Sequence, residues 1–587
     1  MHPDTPKTSD NGASAEEVEK AVAQLHSDQD TDGSDFKMTW QKWLAMASFQ
    51  LGYMSDVFVL SMASSILQEI NRDIGPDANF AWMATAQILG AAVISPTIGR
   101  LSDIFGRRNF LIIGNIIGAI GCAVAATAQK VNTVIGASAV IGMGSAMHQL
   151  AWSCLAELVP KKSRFFALGV FQSTLAPSSA FAPVIAYSMI KAGSWRGAYW
   201  LPFGLDLAGL VLVFFFYKPV NQYILVQGKT RWQQFLGLDW VGNFLLVAGL
   251  VLLLVGISLG GNRYPWASGA PITMIIVGAL LLVALGFWER FARLEAPIFP
   301  REIFANIRGF TVILAGVFLL GMLYYSTAVL WPQQVAMLYT QDIISIGWYS
   351  STTGAAGSII GPIGGYLFTK IGHARWVLTG TILALATVSG AQAVVTPGSY
   401  VASTILTALI GGLVACATIA STSMIQLGVP HHFIGIATGL AITCRSVGGS
   451  IGTTIYSTVL SSRFRSYLAS KAAKPLAMAG VDPKAIGGIL TALLSGNPND
   501  PALEGVSPDI LAIAGKGIKS AFASALRAVY LISIAFGAVA VICVAFSKDV
   551  DHLMTKEVNI RLAADQSPKD NSVKRAPPSE PHAAQAQ

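Results

Sequence analysis

An all-helical, polytopic membrane protein is the fold class this sequence predicts, and three observations carry it. Only 12% of the 587 residues are Asp, Glu, Lys or Arg, about half the share in a soluble domain. The mean hydropathy is +0.56. Apolar stretches recur that are long enough, at 1.5 Å per residue, to cross roughly 30 Å of hydrocarbon. Such a composition excludes an ordinary soluble enzyme.

The elements follow in chain order. Residues 1–38 hold nine acids and three lysines, which puts −6 on this tail and +14 on the remainder. With no basic leader segment or cleavage site before the first apolar stretch, the tail reads as disordered and cytosolic. Cutting the apolar stretches at charged or Pro/Gly-rich breaks places spans near 43–67, 79–99, 109–128, 133–155, 165–190, 197–217, 239–259, 271–290, 309–332, 346–368, 375–395, 400–425, 434–460 and 524–547, fourteen in all. The domains expected are a six-helix bundle at 39–217, two inserted helices within 218–308, a second bundle at 309–547 and a disordered tail at 548–587. All five cysteines fall inside apolar stretches. Neither a disulfide framework nor metal-ligand spacing is present, and neither cofactor nor metal is expected.

Fifteen Lys and Arg lie in the short loops after even-numbered spans, against five after odd-numbered ones. The positive-inside rule then places both termini in the cytosol, and it accounts for the basic excess without nucleic acid. The loop 461–523 is too long for that rule. It is expected outside the cell, with interfacial amphipathic helices at Arg463–Lys474 and Ile510–Arg527.

An internal repeat organises the spans. Gly99-Arg100-Leu101 through Gly106-Arg107-Arg108 and Gly365-Tyr366-Leu367 through Gly372 share a Gly-x-Leu-x4-Gly frame at an offset of 266. Gly142, Pro160 and Gly169 repeat as Gly412, Pro430 and Gly439 at an offset of 270. Two homologous six-helix halves, spans 1–6 and 9–14, are therefore expected.

With Gly99-x-x-x-Asp103-x-x-Gly106-Arg107-Arg108 between spans 2 and 3, the chain resembles the major facilitator superfamily, and fourteen spans are similar to its drug:proton antiporter branch. Glu157-Leu158-Val159-Pro160 with Arg164, Arg445 to Gly452, Leu238-Asp239, Gly260 to Trp266, and Tyr530 to Gly537 leading to Asp549 and Met554-Thr555 resemble the fungal trichothecene efflux pump family. The resemblance covers about residues 40–560. It implies a secondary transporter that exports a toxin or secondary metabolite in exchange for protons. Three departures stand out. Ser138 occupies the place of an Arg that many such antiporters carry in span 4, Ala182-Pro183 replaces a Gly-Pro in span 5, and Asp56-Val57-Phe58 keeps the acid of the span 1 pattern but loses its Thr.

A charge at the bilayer centre costs several kcal/mol and persists mainly where it is wet or paired. Asp56, Arg445, His148 and Asp206 are thereby the proton-coupling candidates, Asp56 first because it sits too deep to reach water. Arg445 is expected to pair with Asp56, hold an anionic group or bond backbone carbonyls. The resemblance implies a gating clasp at Gly99, Asp103, Gly106, Arg107 and Arg108, with Glu157 and Arg164 as a second arm. The bland alternative is a tight turn that caps a helix and sets topology. Gln87, Gln172, Tyr324, Tyr325 and Gln333 are candidate cavity residues, while Trp331 is expected in the interfacial belt. Few charges and several aromatics suit an amphipathic, largely neutral small-molecule substrate.

Within the same fold, uptake of an iron–siderophore chelate is the competing reading. Sugar transport is disfavoured, since Tyr217-Lys218-Pro219-Val220 replaces the Pro-Glu-Ser-Pro-Arg-like run of that branch. No nucleophile–base or metal-ligand arrangement supports an enzyme, no sensing domain supports a receptor, and no Gly-x4-Gly-Lys-Ser/Thr loop supports ATP as energy source. Small molecule, protons and lipid are the partners expected. A monomer in the plasma membrane is the expectation, with the vacuolar membrane as alternative.

Overall fold

The computed structural model describes residues 39–554 except 76, 78–79, 81, 220–229, 261–263, 293–296, 395, 431–432, 496–500 and 505. The expected tails, 1–38 and 548–587, therefore lie largely outside the described residues. Every regular element among them is helical.

Fourteen rods carry the fold. In the first half they are α1 (Trp40–Ser65), α2 (Trp82–Phe105), α3 (Arg107–Ala126), α4 (Val131–His148 continued by Ala151–Leu158), α5 (Arg164–Ser173, Ala176–Ala180 and Ala182–Lys191) and α6 (Gly197–Phe216). Then come α7 (Trp240–Leu259) and α8 (Gly269–Phe291). The second half is α9 (Val312–Gln334 with π turns Ile307–Thr311 and Val335–Tyr339), α10 (Ile343–Ile371), α11 (Ala374–Ala391), α12 (Tyr400–Leu427), α13 (Ile434–Leu468) and α14 (Pro508–Ala545). Twelve rods are long and apolar enough to cross a membrane, and α5 and α10 are not among them. Prolines 177 and 183 begin new pieces of α5, as expected of a residue that cannot donate to the previous turn. In α10 the run Ser350-Ser351-Thr352-Thr353-Gly354 lowers the hydropathy. Both rods nonetheless pack along each other: Ser179 Oγ of α5 lies 3.1 Å from Ser358 Oγ of α10.

The repeat seen in the sequence appears as one contact made twice. A Cβ on Gly99 of α2 would stand 2.7 Å from the Gly435 carbonyl of α13, and one on Gly365 of α10 would stand 2.5 Å from the Phe165 carbonyl of α5. One turn inward, Gly439 of α13 meets Ser95 and Pro96, while Gly169 of α5 meets Gly361 and Pro362. Thus α2 packs on α13 as α10 packs on α5, and glycine is required because backbone touches backbone. The loops after α2 and α10 also match, turning through Gly106 at φ 91° and Gly372 at φ 65°, a region that L side chains avoid.

The two inserted helices pair with each other and touch the rest lightly. Thr97 Oγ1 of α2 donates to Asn243 Oδ1 of α7 at 2.6 Å. On α8, Leu280, Phe287 and Phe291 are more than 60% exposed, an apolar surface suited to lipid.

At the loop 461–523 the structure differs from expectation. Its ends do not form separate interfacial helices: α13 runs on through Ala469–Ala473 and Lys474–Met478, and α14 begins at Pro508 rather than near 524. With the helix Pro483–Ser495 they bury Ala472, Leu476, Ile486, Ile489, Leu490, Ala514 and Ile518 in a small core of their own. Burying that shared apolar face against helices outweighs laying it on a lipid surface, where only one side of each helix would be covered.

Candidate transport site and gate

One face of the molecule gathers the charged motif. Arg107 Nη2, at the start of α3, lies 3.2 Å from Asp103 Oδ1 and 2.5 Å from Glu157 Oε1, all three side chains being at most 5% exposed. Asp103 also points across the boundary between halves, since a Cβ on Gly435 would stand 2.5 Å from its Oδ1. Gly435 belongs to the first turn of α13, whose free N–H groups and dipole favour a carboxylate. Arg164, 1% exposed, donates to Ala156 O at 2.8 Å and to Gln426 O of α12 at 3.3 Å. The cluster therefore makes contacts across both halves on this face. Arg108 donates to Phe214 O at the end of α6, 2.7 Å away, and Arg375 repeats the bond to Ala545 O at the end of α14. In each half a cation sits on the negative end of the sixth helix.

Deeper in the molecule, Asp56 of α1 is half-buried. It accepts from Gln87 Nε2 of α2 at 2.9 Å and from the Ser145 hydroxyl of α4. Gln87, expected in the cavity, is thus an Asp56 ligand that is 3% exposed. Arg445 does not form the expected pair with Asp56. It lies among Tyr53, Tyr324 and Tyr325, while Asp56 is taken by two neutral donors, and Tyr53 neighbours both groups. The rings of Tyr324 and Tyr325 meet edge to face at 5.0 Å.

Arg445 lines a small cleft together with Trp152 of α4, Val317 and Leu320 of α9, Thr418, Ser421 and Thr422 of α12, and Thr438, Ala441 and Ile442 of α13. Its wall is apolar with a row of hydroxyls, and it lies where the halves meet. Gln172 stands close to Gly361 in the α5–α10 seam, outside this set.

Two expectations on α9 are corrected. Gln333 is exposed, and its neighbour Gln334 is fully buried, donating to Ser403 Oγ at 2.8 Å and accepting from Tyr530 Oη at 2.6 Å. Trp331 is 1% exposed and donates to Tyr349 O at 2.7 Å, so a buried carbonyl rather than the interface satisfies its indole. His148 and Asp206 stand together inside the first half, Nε2 to Oδ1 3.9 Å. Ser145, Tyr53 and Gln426 were missed by sequence reasoning. Only Ser145 left a signal, as a polar residue one turn before His148.

A profile of the fungal trichothecene efflux pump family matches residues 22–581. The chain belongs to that family. Its members are transporters rather than enzymes. The chain is 26% identical over 529 residues to the trichothecene efflux pump TRI12 of Fusarium sporotrichioides, covering 88% of each chain. It is 28% identical to the MFS-type transporter prx5 of Penicillium rubens, covering 93% of this chain and 99% of that one. Among solved structures, the human organic anion transporter MFSD10 superposes with a TM-score of 0.51 at 13% identity, covering 85% of this chain and all of that one. The fold is that of the major facilitator superfamily.

Proposed function

We propose that this efflux pump exports a toxic or secondary-metabolite molecule through fourteen membrane-spanning helices in exchange for protons, and that Asp56 is the residue that takes the proton. The carrying observation is what surrounds Asp56: a mid-span carboxylate held by Gln87 and Ser145 and, among the described residues, in an ion pair with no cation. A neutralising arginine would lock the ionised form, whereas two neutral donors serve either form, so protonation breaks no ion pair. Alternating access then exposes the group to one side at a time.

The lining of the cleft beside Arg445 supports an amphipathic substrate, admitted when the halves part, with an apolar body against Val317, Leu320 and Ile442 and oxygen acceptors toward Arg445, Thr438 and Ser421. The loop charge bias supports a cytosolic location for the Asp103–Arg107–Glu157 clasp and both termini, with the plasma membrane as site and a monomer as working unit. With the full chain in vesicles, Asp56→Asn is expected to abolish export driven by an imposed pH gradient while substrate exchange persists. Gradient-driven export equal to wild type would make Asp56 structural.

A further inference from the structure

His148 of α4 and Asp206 of α6 are 3% and 1% exposed, with Nε2 and Oδ1 3.9 Å apart. Both ring nitrogens of His148, Oδ1 of Asp206 and Oδ1 of Asn115 on α3 are buried without a hydrogen-bond partner among the described residues. Four orphaned polar atoms in one place are costly unless a proton or proton donor joins them. Glycines draw the backbone close around the cluster: a Cβ on Gly118 would stand 2.6 Å from Asp206 Oδ2 and 3.2 Å from His148 Cε1, and one on Gly209 2.7 Å from Asn115 Oδ1. Nothing large enters.

The groups that face Asp206 come from every helix packed on it. Ser55 and Asp56 of α1 lie beside it, Cys122 of α3 lies in its field, and Tyr199 of α6 neighbours Cys122. His148 is the one group among them that becomes a cation. A dry interior holding two carboxylates and one imidazole is stable only near net neutrality, and that requires protons. The connection to the transport site is short in chain terms. Ser145, which holds Asp56, lies three residues before His148 on α4, and Ser55 precedes Asp56.

We infer that His148 and Asp206 form a second proton-binding site, sealed inside the first half and filled through Asp56. This rests on Asp56 being the coupling carboxylate. In the transfer the O–H bond of the Asp56 acid breaks and its proton joins the Asp206–His148 pair, leaving Asp56 as a carboxylate. No other reactant is needed. Asp56 takes up a second proton from the wet cavity before that cavity dries, which leaves Asp56 and the sealed pair neutral together, and the pair returns its own proton when the cavity reopens.

Infrared difference spectroscopy of the full-length protein in lipid vesicles, in H2O and D2O and without substrate, tests this. Wild type is expected to show a protonated carboxyl band that exchanges slowly with D2O. Asp206→Asn is expected to remove that band, and Asp206→Glu, which keeps a carboxyl, to shift it. Asp56→Asn is expected to keep the band and slow its exchange further, because the entry route is lost. A slow band that survives Asp206→Asn, or an exchange rate untouched by Asp56→Asn, would overturn the inference. The Asp56 antiport reading is judged separately by gradient-driven export, so the two can fail independently. Should Asp206→Asn fold poorly, the Asp206→Glu shift and the Asp56→Asn exchange rate still decide.

Discussion

Arg107 Nη2 reaches Glu157 Oε1 at 2.5 Å while the same nitrogen stands 3.2 Å from Asp103 Oδ1. One edge of a buried guanidinium thus serves two carboxylates from different helices, and removing it takes from both the cation they share. Arg107→Gln is expected to destabilise the protein by about 3–5 kcal/mol, the usual cost of an uncompensated buried charge. Arg107→Gln combined with Glu157→Gln is expected to recover part of this. Thermal unfolding in detergent measures both, and a double variant no more stable than the single one would contradict the pairing.

Asp103 faces the first turn of α13 as well as Arg107. Asp103→Asn keeps the shape and removes the charge facing the α13 N-terminus, a loss of roughly 0.3–1 kcal/mol or more in a buried setting. Expression and membrane insertion are expected to hold while transport falls sharply. Loss of expression would instead favour a turn that matters only for folding.

The repeated backbone contacts predict paired defects. Gly99→Val and Gly365→Val each force a side chain toward a carbonyl across the half boundary, at a cost of order 1–3 kcal/mol. Both are expected to loosen the clasp face, read as increased thiol labelling of a cysteine placed at Ser102, which is fully buried. Opening by one variant and not the other would break the symmetry argument.

Outside the membrane-spanning segments, Asp73 is held below the usual carboxylate range, chiefly by the Trp195 indole N–H at 2.7 Å and further by Arg196. A carboxyl depressed in the folded state stabilises above its unfolded value, about 4, and that contribution is lost as pH falls through the lower folded value. Asp73→Asn is expected to lower the melting temperature at pH 7, with the gap to wild type closing below about pH 4. A gap independent of pH would assign the contact to packing alone.

Met478, 89% exposed at the end of the α13 continuation, offers a topology test. With the termini cytosolic, Met478→Cys is expected to react with an impermeant thiol reagent on intact cells. Labelling only after permeabilisation would invert the orientation.

The repeat was legible because its glycines answer a demand that leaves marks in sequence: backbone on backbone at Gly99, Gly169, Gly365 and Gly439. Buried charges were legible for the same kind of reason, each being too costly to occur without purpose. Their partners were not. Asp56 and Ser145 lie 89 residues apart, and neither composition nor spacing says which donor faces an acid in a bundle. Gln333 and Gln334 differ by about 100° around one helix, a distinction that hydropathy cannot make in a span buried on most sides. The start of α14 was missed because Lys516 and Lys519 interrupt the apolar count, yet a helix leaving the membrane continues in water when its other face has a core to join.

That continuation has a mechanical side. α14 is 38 residues long, about 57 Å at 1.5 Å per residue, and it is braced against the extension of α13 by the small core around Leu476 and Ile489. α13 is also the helix whose Gly435 and Gly439 seat against α2. The hairpin is therefore a rigid lever joined to the helix that seats against α2, so a force applied at its tip is delivered to the seam between the halves rather than absorbed in a loop.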